Sequence, residues 1–261
     1  MNEAVKLRQE DRIAEILLNR PEAFNAFNQE MVALLAKYLL HLATDESVSV
    51  VVISGEGKAF CSGGDLRALL RFPGGPSIGF HELAGTYHQA ILEIRRMKKP
   101  VIAAVNGIAA GGGFSLALAC DFRVMTHSAV LRQAYTSNGL CMDGGGTFTL
   151  PRMVGLARAL EIAAFDQPIS SEQALAWGLV TRVVPDGHAR EEAWGMAREL
   201  MEGSIHSFGW CKELLTNAFD TSFEAQIERE RKGIANCAAH PDGQEGMNAF
   251  IEKRKPVFRA K

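Results

Sequence analysis

Apolar and polar residues alternate through "RIAEILL" (12–18), a period of two that predicts a strand with one face in a core and the other in solvent. Pro21 and Asn25 in "RPEAFNAFN" break that run. The period then lengthens: Met31, Leu34, Leu35, Tyr38, Leu39 and Leu42 recur at helical spacing and predict an amphipathic helix.

"VSVVVIS" (48–54) and "PVIAAVNG" (100–107) are almost continuously apolar and rich in β-branched residues, the pattern of strands buried on both faces. The stretch between them reads as a helix ending near "LEIRRMKKP", whose basic last turn suits the negative end of a helix dipole. "DFRVMT" and "GLVTRVV" add two short buried strands, each after a helical stretch. Ser170 and Gln173 fit a capping box that opens a helix, and Gly178 fits its stop. Strands separated by helices predict an α/β layer with much parallel pairing.

"RALLRFPGGPSIGF" (67–80) breaks both periods with prolines and glycines and reads as an irregular loop, of the kind that shapes a cavity. From about Ala189 the strand signal stops and three helical segments are expected. The chain thus divides into a core over residues 1–188 and a helical C-terminal region over 189–261.

Composition narrows the classes. The 261 residues are 47% apolar and 22% charged, enough to bury a sizeable core. A formal net charge of -2 with scattered basic residues lacks the footprint of a nucleic-acid binder. The charged start "MNEAVKLRQEDR" and the lack of any run near the ~18 apolar residues of a spanning helix predict a cytoplasmic chain without a membrane partner. The five cysteines, Cys61, Cys120, Cys141, Cys211 and Cys237, show no metal-ligand spacing, so reduced, mostly buried thiols and no metal are expected.

Three predicted strand ends run into glycine clusters: "SGEGKAFCSGGDL", "VNGIAAGGGFSLALACD" and "GLCMDGGGTF". Neither a Walker loop nor GxGxxG is present, so a phosphate cradle is not indicated. In "AAGGGFSLALAC" the glycine amides fall at a helix N-terminus, where negative charge is stabilised. A matching amide from "CSGGD" would complete an oxyanion hole. Taken singly, either cluster is equally what tight turns or close helix-to-strand packing require.

At these residues the sequence resembles the crotonase, or enoyl-CoA hydratase/isomerase, superfamily. The matching pieces run in order along nearly the whole chain: "LNRPEAFNAFNQEM", "SGEGKAFCSGGDL", "KKPVIAAVNGIAAGGGFSLALACDFRV", "GGGTFTLPRMVGLARALEI" and "ISSEQALAWGLVTRVVP". The resemblance implies an α/β, crotonase-like (ClpP/crotonase) spiral of ββα units with a helical C-terminal region, assembled as trimers or dimers of trimers. It implies an acyl-CoA substrate and no permanently bound cofactor, coenzyme A arriving as part of the substrate. The thioester carbonyl would sit in a hole formed by the N–H groups of Gly64 and Gly112.

Hydratases of the family carry one glutamate three residues after the second hole glycine and another in a "QPE" turn. Here those places hold Ser115 and Tyr135, so hydration by the two-glutamate route is doubtful. Asp143 instead stands where isomerases of the family keep their acid/base carboxylate, and the pattern is most similar to the 1,2-epoxyphenylacetyl-CoA and Δ3,Δ2-enoyl-CoA isomerase type. The dehalogenases of 4-chlorobenzoyl-CoA are similar in two places, with a nucleophilic aspartate at Asp143 and a histidine at His88. They differ in two others, with a tryptophan at Tyr135 and a bulky residue at Gly64.

Tyr135, Ser115 and Phe60 are further expected near the acyl group, and Lys58 and Arg20 at the coenzyme A phosphates. Phe250 and Lys253 would reach the nucleotide across a subunit boundary, and Asp65 would cap a helix. The expected function is a C=C shift with Asp143 as acid and base, since one carboxylate can take a proton from one carbon and return it to another. The alternatives are a dehalogenase, an atypical hydratase and a coenzyme A-binding scaffold without turnover.

Overall fold

The structure, a computed structural model, describes residues 3–258. β1 (Val5–Glu10) and β2 (Ile13–Leu18) form an antiparallel hairpin. Asp11 and Arg12 close it at φ 49° and 66°, the double left-handed turn that matches strand twist. Asn28 accepts from the Met31 N–H and so starts α1 (Gln29–Thr44), whose predicted apolar stripe buries Met31, Leu35, Leu39 and Leu42.

The chain then repeats one unit three times: a strand in a first sheet, a short strand in a second, then helix. The first repeat is β3 (Val50–Gly55), β4 (Ala59–Cys61), then α2 (Leu66–Leu70) and α3 (Pro76–Arg96). The second is β5 (Val101–Val105), β6 (Ile108–Ala110) and α4 (Gly112–Ala119). The third is β7 (Phe122–Thr126), β8 (Val130–Arg132) and α5 (Gly146–Phe165). β9 (Ile169–Ser170), α6 (Ser171–Ala176) and β10 (Arg182–Val184) complete the sheets, with α6 opened by the expected Ser170/Gln173 capping box. The strand orders are β1-β2-β3-β5-β7-β10 and β4-β6-β8-β9, and the first sheet is parallel from β2 onward.

The first sheet is covered on both faces. Val50, Val52, Ile102, Ala104 and Val124 pack against Ala193, Trp194 and Ala197 of α7 (Ala189–Met201), whereas Val51, Ile53, Ala103 and Val105 join the larger core on the other side. This corrects the half-exposed reading of residues 12–18. Glu15, expected toward water, is fully buried beneath α7, where its carboxylate accepts from Ser54 Oγ at 2.7 Å and from the Arg190 guanidinium. Period-two alternation marks the two faces but not which of them a later helix covers.

Residues 67–80 are also less irregular than expected. Only 71–75 lie outside helix, because Pro76 sits at the first position of α3, where its missing N–H costs nothing. Among the described residues four α-helices, not three, follow Ala189: α7, α8 (Ile205–Asn217), α9 (Phe223–Ala239) and α10 (Pro241–Ile251). The cap that separates α7 from α8 is Ser204, which accepts from the Ser207 N–H. Lys212 of α8 is buried and donates to Asp121 Oδ2 at 2.7 Å and to Ile94 O at 2.7 Å, tying the C-terminal helices to the spiral.

Candidate functional site

The turn after β4 and the turn after β6 lie against each other. Gly63 (φ 99°) and Gly111 (φ 52°) adopt left-handed conformations that favour glycine. A Cβ on Gly63 would come within 3.2 Å of the Gly112 nitrogen. Gly64 pairs with Phe27 in a short bridge, held by Phe27 N–H to Gly63 O at 2.7 Å and Asp65 N–H to Phe27 O at 2.9 Å. Gly112 opens α4, where a first-turn N–H lacks a helical acceptor.

Among the described residues neither the Gly64 nor the Gly112 N–H has an acceptor. Both glycines line a cavity of about 300 Å³ whose apolar wall includes Phe27, Phe80, Leu83, Tyr87 and Leu140. Gly113 serves differently: a Cβ there would lie 2.1 Å from Cys61 O, so it is required by the packing of α4 on β4. One cluster therefore holds both uses that the sequence left open.

Gly144 (φ 60°) and Gly145 (φ 77°) turn the chain into α5 and leave Asp143 on the wall of the same cavity. It is the one carboxylate among the described residues lining that cavity. The Tyr135 hydroxyl donates to Asp143 Oδ1 at 2.6 Å, and Ser115 Oγ donates to the Asp143 backbone oxygen at 2.7 Å. Ser115 Oγ also lies 3.2 Å from the Tyr135 hydroxyl. Burial first, then the charge of Asp143, push the Tyr135 phenol far above its usual range, so it remains an O–H donor.

His88 stands beside this group. The Gly144 N–H donates to His88 Nε2 at 3.3 Å, so that nitrogen is the bare one in the neutral ring. Its 3.6 Å approach to Asp143 Oδ2 is then a meeting of two acceptors and not a hydrogen bond.

The remaining expected residues divide. Arg20 donates to Asp65 Oδ2 at 3.1 Å and to Ala26 O, and Asp65 Oδ1 accepts from the Ala68 N–H, capping α2 as expected. Arg20 thus braces the turn that carries Gly64. Phe60 does not reach the cavity: it is fully buried in the main core, because β4 directs it inward. Lys58, Phe250 and Lys253 are exposed and none lines the cavity. The thiols are less hidden than expected, since Cys61 and Cys120 are buried, Cys237 is intermediate, and Cys141 and Cys211 are exposed. Phe27 and Tyr87 are among the cavity residues that went unread in the sequence. Their only signals were an aromatic one step past the "FNA" turn and a tyrosine beside His88 at core-like helical spacing.

A spiral of paired strands with helical cover, and a glycine-walled cavity at the mouths of its repeats, define a crotonase-fold protein. Comparison with known proteins makes the assignment specific. The family description Enoyl-CoA hydratase/isomerase matches residues 8–261. The chain is 35% identical to the 1,2-epoxyphenylacetyl-CoA isomerase of Escherichia coli K12, with 100% of each chain covered. It is 30% identical to 4-chlorobenzoyl coenzyme A dehalogenase-2 of an Arthrobacter species, over 95% of this chain and 91% of that one. The crystal structure of an enoyl-CoA hydratase from Polaromonas sp. JS666 superposes with a TM-score of 0.92 at 36% identity, covering 98% of this chain and 99% of that one. The chain belongs to the enoyl-CoA hydratase/isomerase family. Among the described residues no helix is long and apolar enough to cross a membrane.

Proposed function

We propose that the protein is an acyl-CoA double-bond isomerase in which Asp143 carries the proton and the N–H groups of Gly64 and Gly112 receive the thioester oxygen. The observation that carries this reading is a lone carboxylate on a cavity wall shared with two amides that have no other acceptor. Asp143 removes a proton from the carbon next to the thioester of a 3-enoyl chain. The electron pair spreads into the thioester as a dienolate, whose oxygen charge falls on the two amides. The protonated Asp143 then returns the proton to the far carbon of the three, leaving the double bond conjugated with the carbonyl.

Ser115 and Tyr135 are committed to Asp143 and neither is a carboxylate, which disfavours activation of water by the two-glutamate route. Removing an acid/base group costs about 100- to 10,000-fold, and Asp143→Asn should lose that much on a 3-enoyl-CoA while still binding it. A wild-type rate in that variant rejects the assignment. Self-association as a trimer or dimer of trimers goes with this reading, supported by the exposed Phe219, Phe223, Ile234 and Phe250 of the C-terminal region. A cytoplasmic location goes with it too.

A second reading, ring dehalogenation with Asp143 as nucleophile, is favoured by the Arthrobacter relative. The Tyr135 hydrogen bond weighs against it, because a donor on Oδ1 withdraws the electron density that attack on a ring requires. A single turnover with 4-chlorobenzoyl-CoA decides: an aryl ester trapped at Asp143 supports it, and no chloride release rejects it. Calorimetry that shows acyl-CoA binding without any turnover would leave only the scaffold.

A further inference from the structure

Tyr87 touches the Gly112 and Gly144 turns and the Phe27 ring, and the reading above does not use it. It lies on α3, almost fully buried, and its hydroxyl donates to Gly112 O at 2.6 Å. Its ring centroid is 5.0 Å from that of Phe27, whose backbone brackets Gly64 on both sides. Phe27 in turn packs on Gly112, where a Cβ would meet its ring at 3.1 Å.

The other side of Tyr87 faces the turn that carries Asp143. A Cβ on Gly144 would lie 2.5 Å from Tyr87 Cε1 and 2.9 Å from its hydroxyl oxygen, so ring and turn are in direct contact. The next residue of the same helix, His88, accepts the Gly144 N–H. Two of the loops, those bearing the Gly112 amide and the Asp143 carboxylate, therefore meet on one phenol projected from a helix of 21 residues, and the Gly64 loop is tied to it through Phe27. Burial, then the nearby Tyr135 and Asp143, push this phenol well above its usual range, so it too stays a donor.

We propose that Tyr87 is a positioning residue that fixes the distance between the Gly64 and Gly112 amides and the Asp143 carboxylate. The inference rests on the isomerase reading above, in which the amides hold the thioester oxygen. Its physical basis is that preorganised donors stabilise a developing charge only where they already point at it. A loop anchored to a long helix by a hydrogen bond and a ring contact cannot drift as a free glycine turn can. It also accounts for Gly144, whose φ of 60° and lack of side chain are what let the ring approach.

The test uses the full-length protein and cinnamoyl-CoA labelled at the thioester carbonyl, a conjugated ligand with no hydrogen to shift. Infrared difference spectra of the bound ligand should show the carbonyl stretch at lower frequency than in water for the wild type, and a smaller displacement for Tyr87→Phe. In parallel, kcat on a 3-enoyl-CoA should fall about tenfold in Tyr87→Phe while KM changes less than about twofold, the signature of an interaction aligned for the transition state. No displacement in the wild type overturns the hole itself, whatever Tyr87 does. A full wild-type displacement and kcat in Tyr87→Phe overturn the role of Tyr87 alone. Loss of folded protein without a change in carbonyl frequency for the folded fraction also overturns it, because that marks a purely structural tyrosine. Should Tyr87→Phe not fold, Phe27→Leu removes the supporting ring and is read by the same two outcomes.

Discussion

The Tyr135 hydroxyl and the Asp143 carboxylate are 2.6 Å apart, with the phenol donating to Oδ1 and Ser115 holding the backbone of the same aspartate. Asp143 is thus oriented by two residues, neither of them a carboxylate. Together they clamp that one acid.

That clamp has a kinetic consequence. Tyr135→Phe should lower kcat on a 3-enoyl-CoA by about tenfold, the scale of one hydrogen bond to a charged group. The double variant Tyr135→Phe/Asp143→Asn should be no slower than Asp143→Asn, because the two residues act as a unit. Multiplicative losses in steady-state rates would contradict this.

The thiols give a pH prediction. Burial pushes Cys61 and Cys120 up to about 12, whereas Cys141 and Cys211 are exposed. At pH 8 a thiol reagent should label Cys141 and Cys211 in the native protein and reach Cys61 and Cys120 only on unfolding, because the thiolate is the reactive form. The sign for stability follows. Above the ordinary thiol value of ~8.5 the unfolded chain gives up two protons that the native chain keeps, so stability should fall as pH rises from there toward 12. Cys141 lines the cavity and Cys211 does not, so a bound acyl-CoA should protect only Cys141. Peptide mapping of the labelled protein checks each point.

Lys212 is buried against Asp121 and two backbone carbonyls, Ile94 O and Lys99 O. Lys212→Met should cost about 3 kcal/mol in urea unfolding, since it strands a largely buried carboxylate. Adding Asp121→Leu should restore part of that loss, because an apolar pair leaves no charge behind. A double variant less stable than the single one would refute the assignment.

Two neighbouring glycines should behave differently. Gly113→Ala drives a Cβ to 2.1 Å from the Cys61 carbonyl oxygen, a backbone atom that cannot swing aside. A loss of about 3 kcal/mol is expected by thermal unfolding, at the upper end for overpacking. Gly112→Ala meets the Phe27 ring at 3.1 Å and the Gly63 Cα at an ordinary 3.8 Å, and should unfold within about 1 kcal/mol of the wild type.

The site was most legible where the motifs resemble those of a family. Gly64, Gly112 and Asp143 were reached through the family resemblance, since taken alone the glycines read as tight turns and the lone acid as a turn residue; all three line one cavity. Tyr87 and Phe27 were not reached, since a buried aromatic at helical or turn spacing looks the same whether it fills a core or props a site. Glu15 was misread for a related reason: its local pattern is that of an edge facing water, and the helix that covers it is encoded 175 residues later. Phe60 was expected near the acyl group, but all three residues of β4 are buried and its side chain joins the main core.

The bond between Glu15 and Arg190 also sets an order in time. A ribosome that has released the first 188 residues has made all ten strands, yet not the helix that covers one face of the main sheet or the cation that answers its buried acid. The sheet must therefore wait, with an apolar face and a carboxylate still wet, until α7 (Ala189–Met201) has emerged. During that interval the apolar face of the sheet is open, and chaperone contact should concentrate there.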